Sequence, residues 1–247
     1  MTRAAAVEVS WPQVHAFRLE RHHLLARAPK RQLTRVAGDI CGAQAQVMSS
    51  AELQLATRTA CSVGDVRRAL WTDRTLVKTW LMRGTLHLLP AADLPVFAGA
   101  LSTKWMKPRP SWLKWFRMDQ QEWDEFAESV GRVLGSEPMT REEIIVRLAK
   151  GQSKRVAQQL RSGWGSLLKP AAHRGLLCFG PSRGTSVTFV RPAKWLGGWR
   201  SVDPDEAAAE VARALPARLR AGDEEGLRAM VRSIVRRRRA GSVVEHR

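Results

Sequence analysis

The sequence lacks tyrosine, holds only three cysteines and contains no long apolar run. Cys41, Cys61 and Cys178 lie far apart and form no CxxC or Cys/His cluster, so we expect neither a disulfide framework nor a zinc site. Because no run approaches 18 apolar residues, we expect no transmembrane helix. The N-terminal segment is interrupted by Glu8 and lacks the apolar core of a secretory signal. The sequence therefore predicts a cytoplasmic protein without metal or cofactor.

Positive charge is in large excess. The chain carries 41 Lys and Arg against 23 Asp and Glu, a formal net charge of +18. The excess remains when the Arg-rich segment 213–247 is left out. A hydrophobic content of 44% is typical of a folded protein, so disorder does not explain the charge. We therefore expect a folded protein whose partner is a polyanion such as nucleic acid.

The N-terminal part of the sequence predicts a series of helices. Ser10 before Trp11-Pro12 has the pattern of a helix cap, and we expect that helix to reach about residue 25. The stretch 32–59 predicts two further helices, because apolar residues recur at helical spacing: Val36, Ile40, Ala43 and Val47. Gly42 lies inside this stretch and indicates a break between the two helices.

The following residues predict two short helices and a strand. Ser62 with Asp65 has the pattern of a capping box, which opens a helix to about Trp71. Thr72-Asp73 then predicts a second helix that carries Arg74, Lys78 and Trp80. Residues 85–89 predict a strand closed by a proline. This order is typical of a winged helix, and we assign residues 1–102 to a first winged-helix unit.

A connector and a second unit follow. Residues 103–118 concentrate Trp, Lys and Pro; the tryptophans can stack on bases, but packing is the preferred interpretation. Residues 119–134 predict an amphipathic helix, and Thr140 with Glu143 forms a capping box. Further on, the sequence predicts a basic helix over 154–161, a helix that carries Lys169, His173 and Arg174, and a β-hairpin over 176–190 with its turn at 181–184. We assign residues 119–200 to a second winged-helix unit.

The C-terminal segment changes character. Residues 201–213 predict the start of a third unit, with Asp203 as the helix cap. Residues 214–247 lose amphipathic order and become Arg-rich, as in a disordered arm. The residues that follow 213 can be translated back into synonymous codons and read one nucleotide downstream. With suitable codons, the shifted reading frame contains tyrosine and encodes the rest of a helix, a turn and a capped helix. We therefore expect a frameshift near residue 213 and a disordered, out-of-frame tail over 214–247.

Several short runs resemble the AlkZ-like winged-helix DNA glycosylases. The family's mark is a Gln-apolar-Gln motif, matched here by Gln44, Ala45 and Gln46 within the run 41–47. The later runs 83–87 and 163–180 also resemble this family. The resemblance covers residues 10–212, and it implies three tandem winged helices and a C-terminal β-barrel that curve around DNA.

The resemblance implies a monofunctional glycosylase that hydrolyses the N-glycosidic bond of alkylated or crosslinked bases, with Gln44 and Gln46 as catalytic residues. Two amides can orient a water beside the deoxyribose C1′ without titrating. On a regular helix, however, residues at i and i+2 diverge by about 200°, so joint action requires a helix end or a kink. Paired glutamines also commonly cap or bridge neighbouring elements. Asp39 is the nearest carboxylate, either a general base or a solvated residue.

The partner we expect is double-stranded DNA, contacted by basic side chains. In the second unit the candidates are Lys169, His173 and Arg174 on a helix and Arg183 at the hairpin tip. Phosphate anchors are expected among Lys154, Arg155 and Arg161. In the first unit Arg83 lies where a turn can meet phosphate, and His87 faces either DNA or a half-buried polar contact.

A second class of function stays open: a winged-helix transcription regulator without catalysis. Such regulators usually carry one unit and a dimerisation or ligand segment, and neither is visible in this sequence. We further expect a nucleoid-associated monomer, and a chain that is inactive as written because the family's third unit and barrel are missing.

Overall fold

The computed structural model describes residues 10–81, 84–105, 108, 110–148, 160–161, 165 and 167–219. Helices dominate these residues, and two small antiparallel sheets of three strands each accompany them. The predicted α+β fold class, mainly helical with small β elements, is therefore confirmed. Within the same ranges, no helix combines the length and the apolar character needed to cross a membrane.

The first half of the chain places one sheet among four helices. The chain begins with helix α1 Trp11–Arg21, and a short 3-10 helix follows it. The next elements have the order helix, strand, helix, helix, strand, strand: α2 Leu33–Asp39, β1 Ala43–Gln44, α3 Met48–Arg58, α4 Val63–Trp71, β2 Leu76–Trp80 and β3 Leu86–Pro90. The sheet has the strand order β1-β3-β2. α1 ends at Arg21, four residues before the predicted end.

Strand β1 lies within the stretch 32–59, where the sequence pattern predicted two helices and no strand. Cys41 and Gly42 both adopt positive φ values, 57° and 90°, and this left-handed turn ends α2. Ala43 then pairs with Leu88 in β3 and is fully buried. Ala43 therefore fits the apolar spacing of a helix only by chance. It is buried because it lies in a strand whose partner is distant in sequence.

The prediction of a helix that starts at Thr72-Asp73 is wrong, because strand β2 lies there. Arg74 has a positive φ of 54°, a left-handed conformation that a right-handed helix cannot contain. The residues that follow pair with β3 along its whole length. Leu76 packs in the core of the first half, whereas Val77 packs in a core shared with the second half. Burial on both faces hides the alternation by which a strand is recognised. The capping box of Ser62 and Asp65 at the start of α4 is confirmed.

The elements bounded in the second half have the same order, helix, strand, helix, helix, strand, strand, with the helical residues 160–161 between the last two helices. Its elements, with those that flank it, are α5 Leu94–Trp105, α6 Pro110–Phe116, α7 Gln120–Val133, β4 Met139–Thr140, α8 Arg141–Leu148, α9 Lys169–His173, β5 Cys178–Arg183, β6 Ser186–Val190, α10 Pro192–Trp195 and α11 Pro204–Leu219. The strand order β4-β6-β5 matches that of the first sheet. Most of the predicted basic helix 154–161 lies outside the described residues.

Local signals predicted the second half well. The amphipathic helix is α7, and its predicted apolar face is buried: Trp123, Phe126 and Val130, followed by Leu134. The Thr140–Glu143 capping box is present, with the Glu143 carboxylate accepting the Thr140 N–H at 2.6 Å. β5 continues to Arg183, so the hairpin turn lies at 184–185 and not at 181–184. Part of the connector 103–118 is helix α6.

Helix α11 packs along α5 and closes the described part of the chain. Asp203 caps it as predicted, accepting the N–H groups of Asp205 and Glu206. The helix continues to Leu219, beyond residue 213, where the tail was expected to begin. The rest of the predicted tail, 220–247, lies outside the described residues.

Candidate active site

Gln44 and Gln46 lie on the same side of an extended segment. Gln44 ends β1 and Gln46 follows two residues later. Alternate residues of an extended chain point to opposite faces, and here Ala43 and Ala45 are fully buried whereas both glutamines are exposed. The divergence of about 200° expected on a regular helix therefore does not arise. The extended backbone itself brings the two side chains to one surface.

The side chain of Gln46 is fixed by the neighbouring strand. Its Oε1 accepts the backbone N–H of Leu86 at 3.4 Å. The reversed amide would set two donors against each other, so the oxygen belongs on the strand side. Gln46 consequently presents its amino group, a donor, on the exposed side.

Gln44 stands directly opposite His87 in the sheet. The neighbouring Ala45 N–H donates to Leu86 O at 2.7 Å, so Gln44 and His87 form the non-hydrogen-bonded pair, in which side chains approach most closely. His87 is 8% exposed, and its Nδ1 lies 3.1 Å from the Thr85 carbonyl oxygen. This burial corresponds to the half-buried polar contact named as the alternative to DNA contact. His87 therefore lies beside Gln44 on the same face of the sheet.

A row of side chains connects this site to the second half of the molecule. Thr79 of β2 lies opposite His87 on its other side, and its hydroxyl donates to Leu177 O at 3.4 Å. Gln44, His87 and Thr79 thus share one face of the first sheet, exposed at β1 and covered at β2. The face that carries Gln44 at its edge therefore continues into the junction between the two halves.

Gly42 allows β1 to lie close to β3. Its φ of +90° is rarely adopted by residues with a side chain, and a Cβ there would lie 3.1 Å from Leu88 O and 3.6 Å from His87 Cβ. The glycine therefore sets both the turn out of α2 and the approach of the strand that carries Gln44.

The second half contributes Lys169, which lies near the start of β3. Lys169 Nζ lies 3.8 Å from where a Cβ on Gly84 would stand, in the turn that precedes β3. Partial burial lowers the pKa of the Lys169 ammonium below its ordinary value. A cation of the second half therefore lies beside the turn leading to Leu86, the residue that binds Gln46.

Comparison with known families matches residues 37–246 to the family of the DNA glycosylase AlkZ. The chain belongs to the AlkZ-like DNA glycosylase family. The match continues past residue 213, where the sequence pattern predicted a frameshift, and that frameshift stays a prediction.

Two relatives show how much of the AlkZ-like architecture this chain spans. It is 40% identical over 213 residues to the interstrand DNA cross-link repair glycosylase of Streptomyces sahachiroi, covering 84% of this chain and 57% of that protein. It is similar to the solved structure of Streptomyces sahachiroi DNA glycosylase AlkZ with a TM-score of 0.76 and 40% identity, covering 87% of this chain and 58% of that one. The AlkZ-like chain thus spans less than three fifths of either relative.

Arg174 and His173 of the AlkZ-like chain lie inside the protein. The Arg174 side chain is 8% exposed, pairs with the Asp124 carboxylate and donates to Asp124 O at 2.9 Å, and Glu128 lies 3.5 Å away. His173 is buried beside Lys169. Both were predicted to contact DNA, but their contacts hold α9 against α7 and the core. We therefore leave both out of the proposed DNA surface.

The remaining predicted DNA contacts are exposed or undescribed. Arg183 and Arg161 are more than half exposed and pair with acidic residues of α8: Arg183 lies 2.7 Å from Glu143 and Arg161 lies 3.3 Å from Glu142. A phosphate would have to compete with these carboxylates. Arg83, Lys154 and Arg155 lie outside the described residues.

Two further features frame the site. Asp39 does not join the glutamines: it pairs with His23 at 3.0 Å, in a cleft of about 580 Å³ between α1 and α2. Gln54 of α3, which donates to Gln44 O at 3.1 Å, was missed by the sequence reasoning. It belongs to no motif, and only the packing of α3 against β1 reveals it. In the described part of the chain, no three His, Cys, Asp or Glu residues could hold a metal ion.

We expect His173 to make the stability of the protein sensitive to acid. Burial, with the Lys169 charge nearby, lowers the pKa of the His173 imidazole from 6.5 to about 4. Between these pH values the unfolded chain binds more protons than the folded one, so the free energy of unfolding falls as the pH falls. The expected loss from this group between pH 7 and pH 5 is about 2 kcal/mol.

Urea denaturation at pH 7 and pH 5 measures this effect. The variant His173→Leu, which lacks the titrating group, should lose correspondingly less stability over the same interval. Equal losses in the two proteins would show that His173 does not cause the acid sensitivity.

Proposed function

We propose that this chain is a monofunctional DNA glycosylase that hydrolyses the N-glycosidic bond of an N-alkylated or crosslinked base, with Gln44 and Gln46 as its catalytic residues. The observation that carries the proposal is the geometry of β1, which brings both amides to one exposed side of an extended segment. Family membership and the similarity to an interstrand DNA cross-link repair glycosylase and to DNA glycosylase AlkZ support the reaction class.

The chemistry suits a pair of amides. N-alkylation makes the base cationic, so its departure requires little protonation. What remains is to place a water beside C1′ and to stabilise an oxocarbenium-like centre. Because the Gln46 oxygen binds Leu86, Gln46 acts as a donor toward substrate or water. Gln44 then accepts from the attacking water, and neither group needs to titrate.

We further infer that the two halves are winged-helix units, approximately residues 1–102 and 119–200, joined by a connector over 103–118. The repeated order of helices and strands and the matching strand orders support this assignment. Residues 201–213 would begin a third unit. The proposed partner is double-stranded DNA, met by the glutamine face, by the exposed cations Arg161 and Arg183 and by the partly buried Lys169. We expect a nucleoid-associated monomer without metal or cofactor.

A base-release assay tests the proposal. The chain is incubated with a duplex that carries one N7-alkylated guanine, and abasic sites are revealed by alkaline strand cleavage. We expect cleavage at the modified position and none on the matched unmodified duplex. Binding of a specific sequence without base release would favour a transcription regulator. Absence of release at stoichiometric enzyme would contradict catalysis by this chain and would agree instead with the sequence-based expectation of an inactive chain.

A further inference from the structure

One edge of strand β1, which carries the proposed catalytic Gln44, faces away from β3 and forms no hydrogen bonds with it. β1 is two residues long and lies at the edge of its sheet. The Ala45 N–H faces β3, so in an antiparallel pair the backbone N–H and carbonyl of Gln44 face the opposite way. Unpaired strand edges are the weakest parts of a sheet. Something other than the ladder must hold Gln44 if its side chain is to keep one direction.

Gln54 supplies that contact from α3. Its Nε2 donates to Gln44 O at 3.1 Å. Two nearby residues of the same helix, Ala51 and Leu55, are fully buried in the core of the first half. The helix is thus a fixed support, and the half-buried side chain of Gln54 reaches from it to the outer edge of β1.

We infer that Gln54 is a positioning residue for the proposed glycosylase reaction. It acts through Gln44: by fixing the carbonyl it fixes the peptide plane between Gln44 and Ala45, and hence the direction of both exposed amides. Gln44 is then held from two sides, by the pairing of its neighbours with β3 and by Gln54 on the outer edge. This role rests on the proposed function, because it supposes that the amides act on substrate.

The test compares variants of residue 54 in single-turnover base release. Gln54→Met keeps the length and removes the donor. We expect its rate to fall about tenfold or more, since small displacements of positioned groups are costly, while the Kd for the duplex changes less than about twofold. Gln54→Lys restores a donor of similar reach and should recover part of the rate. Leu53→Met, at an exposed neighbour on the same helix, is the matched control and should retain the full rate.

Hydrogen exchange of the segment 43–47 provides a readout that does not need activity. We expect faster exchange of the Ala45 amide in Gln54→Met than in the native chain or in Leu53→Met. A native rate and native exchange in Gln54→Met would overturn the inference. If the native chain releases no base, the proposed function fails separately; unchanged exchange would then overturn the positioning role, and faster exchange would uphold the contact between Gln54 and β1.

Discussion

Replacing Gln44 with alanine is expected to lower the single-turnover rate of base release at least about 100-fold, with little change in affinity for duplex DNA. Loss of one preorganised polar group that acts at the reacting centre costs about 100- to 1000-fold in well-studied enzymes. The side chain of Gln44 is exposed, and Gln44 is not among the residues of the core of the first half. The variant should therefore fold normally and bind DNA through its cations.

Gln46 allows the role of each amide to be separated. Gln46→Glu keeps an oxygen for the Leu86 N–H but loses the outward amino group, so we expect a large loss of rate. Gln44→Glu keeps an acceptor and should lose less than Gln44→Ala. Gln120→Ala, at an exposed glutamine of α7 whose amide donates to the Asp124 carboxylate, is the matched control and should keep the native rate.

The measurements are rates of abasic-site formation with enzyme in excess, and Kd values for the same duplex by fluorescence anisotropy. Native rates in both Gln44→Ala and Gln46→Glu would remove the amides from the mechanism. A loss explained wholly by weaker DNA binding would make them contact residues instead.

The candidate site was predicted from the sequence, but its local structure was not. The Gln44-Ala45-Gln46 motif carries the family resemblance, yet the surrounding apolar spacing favoured a helix. The strand exists because Ala43 and Gln44 pair with residues more than 40 positions away, and no local pattern encodes that pairing. The same limit applied to β2, whose residues are buried on both faces.

Interactions within one helical turn were predicted correctly. The capping boxes at Ser62 and Thr140 involve residues three positions apart, so the sequence contains all their partners. Arg174 shows the opposite case, a contact between residues that are distant in sequence. Its partner Asp124 lies 50 residues away in α7. A basic residue on a helix near a hairpin has the same appearance in the sequence whether it meets phosphate or a carboxylate of its own chain.

The junction between the two halves should be the most sensitive point for stability, and Trp80 is its central residue. Trp80 ends β2 in the first sheet but packs in the core of the second half. Its ring centroid lies 4.8 Å from that of Phe179 and 6.1 Å from that of Phe189, and the side chain is 5% exposed. A Cβ on Gly165, whose φ is +63°, would lie 2.5 Å from the indole, so the backbone there is shaped around this ring.

We expect Trp80→Ala to lower the free energy of unfolding by about 3–5 kcal/mol, the usual cost of emptying an aromatic site in a core. Denaturation followed by circular dichroism measures the loss. Trp115→Ala, at a tryptophan of α6 that is 57% exposed, is the matched control and should lose less than about 1 kcal/mol.

The consequence reaches the site, because β2 connects Trp80 through Thr79 to His87 and Gln44. Below its melting temperature, Trp80→Ala should therefore also release base more slowly than the native chain, whereas Trp115→Ala should not. Equal stability losses in the two variants would show that the indole does not hold the halves together. A destabilised Trp80→Ala with the native rate would show instead that β1 keeps its glutamines in place without support from the second half.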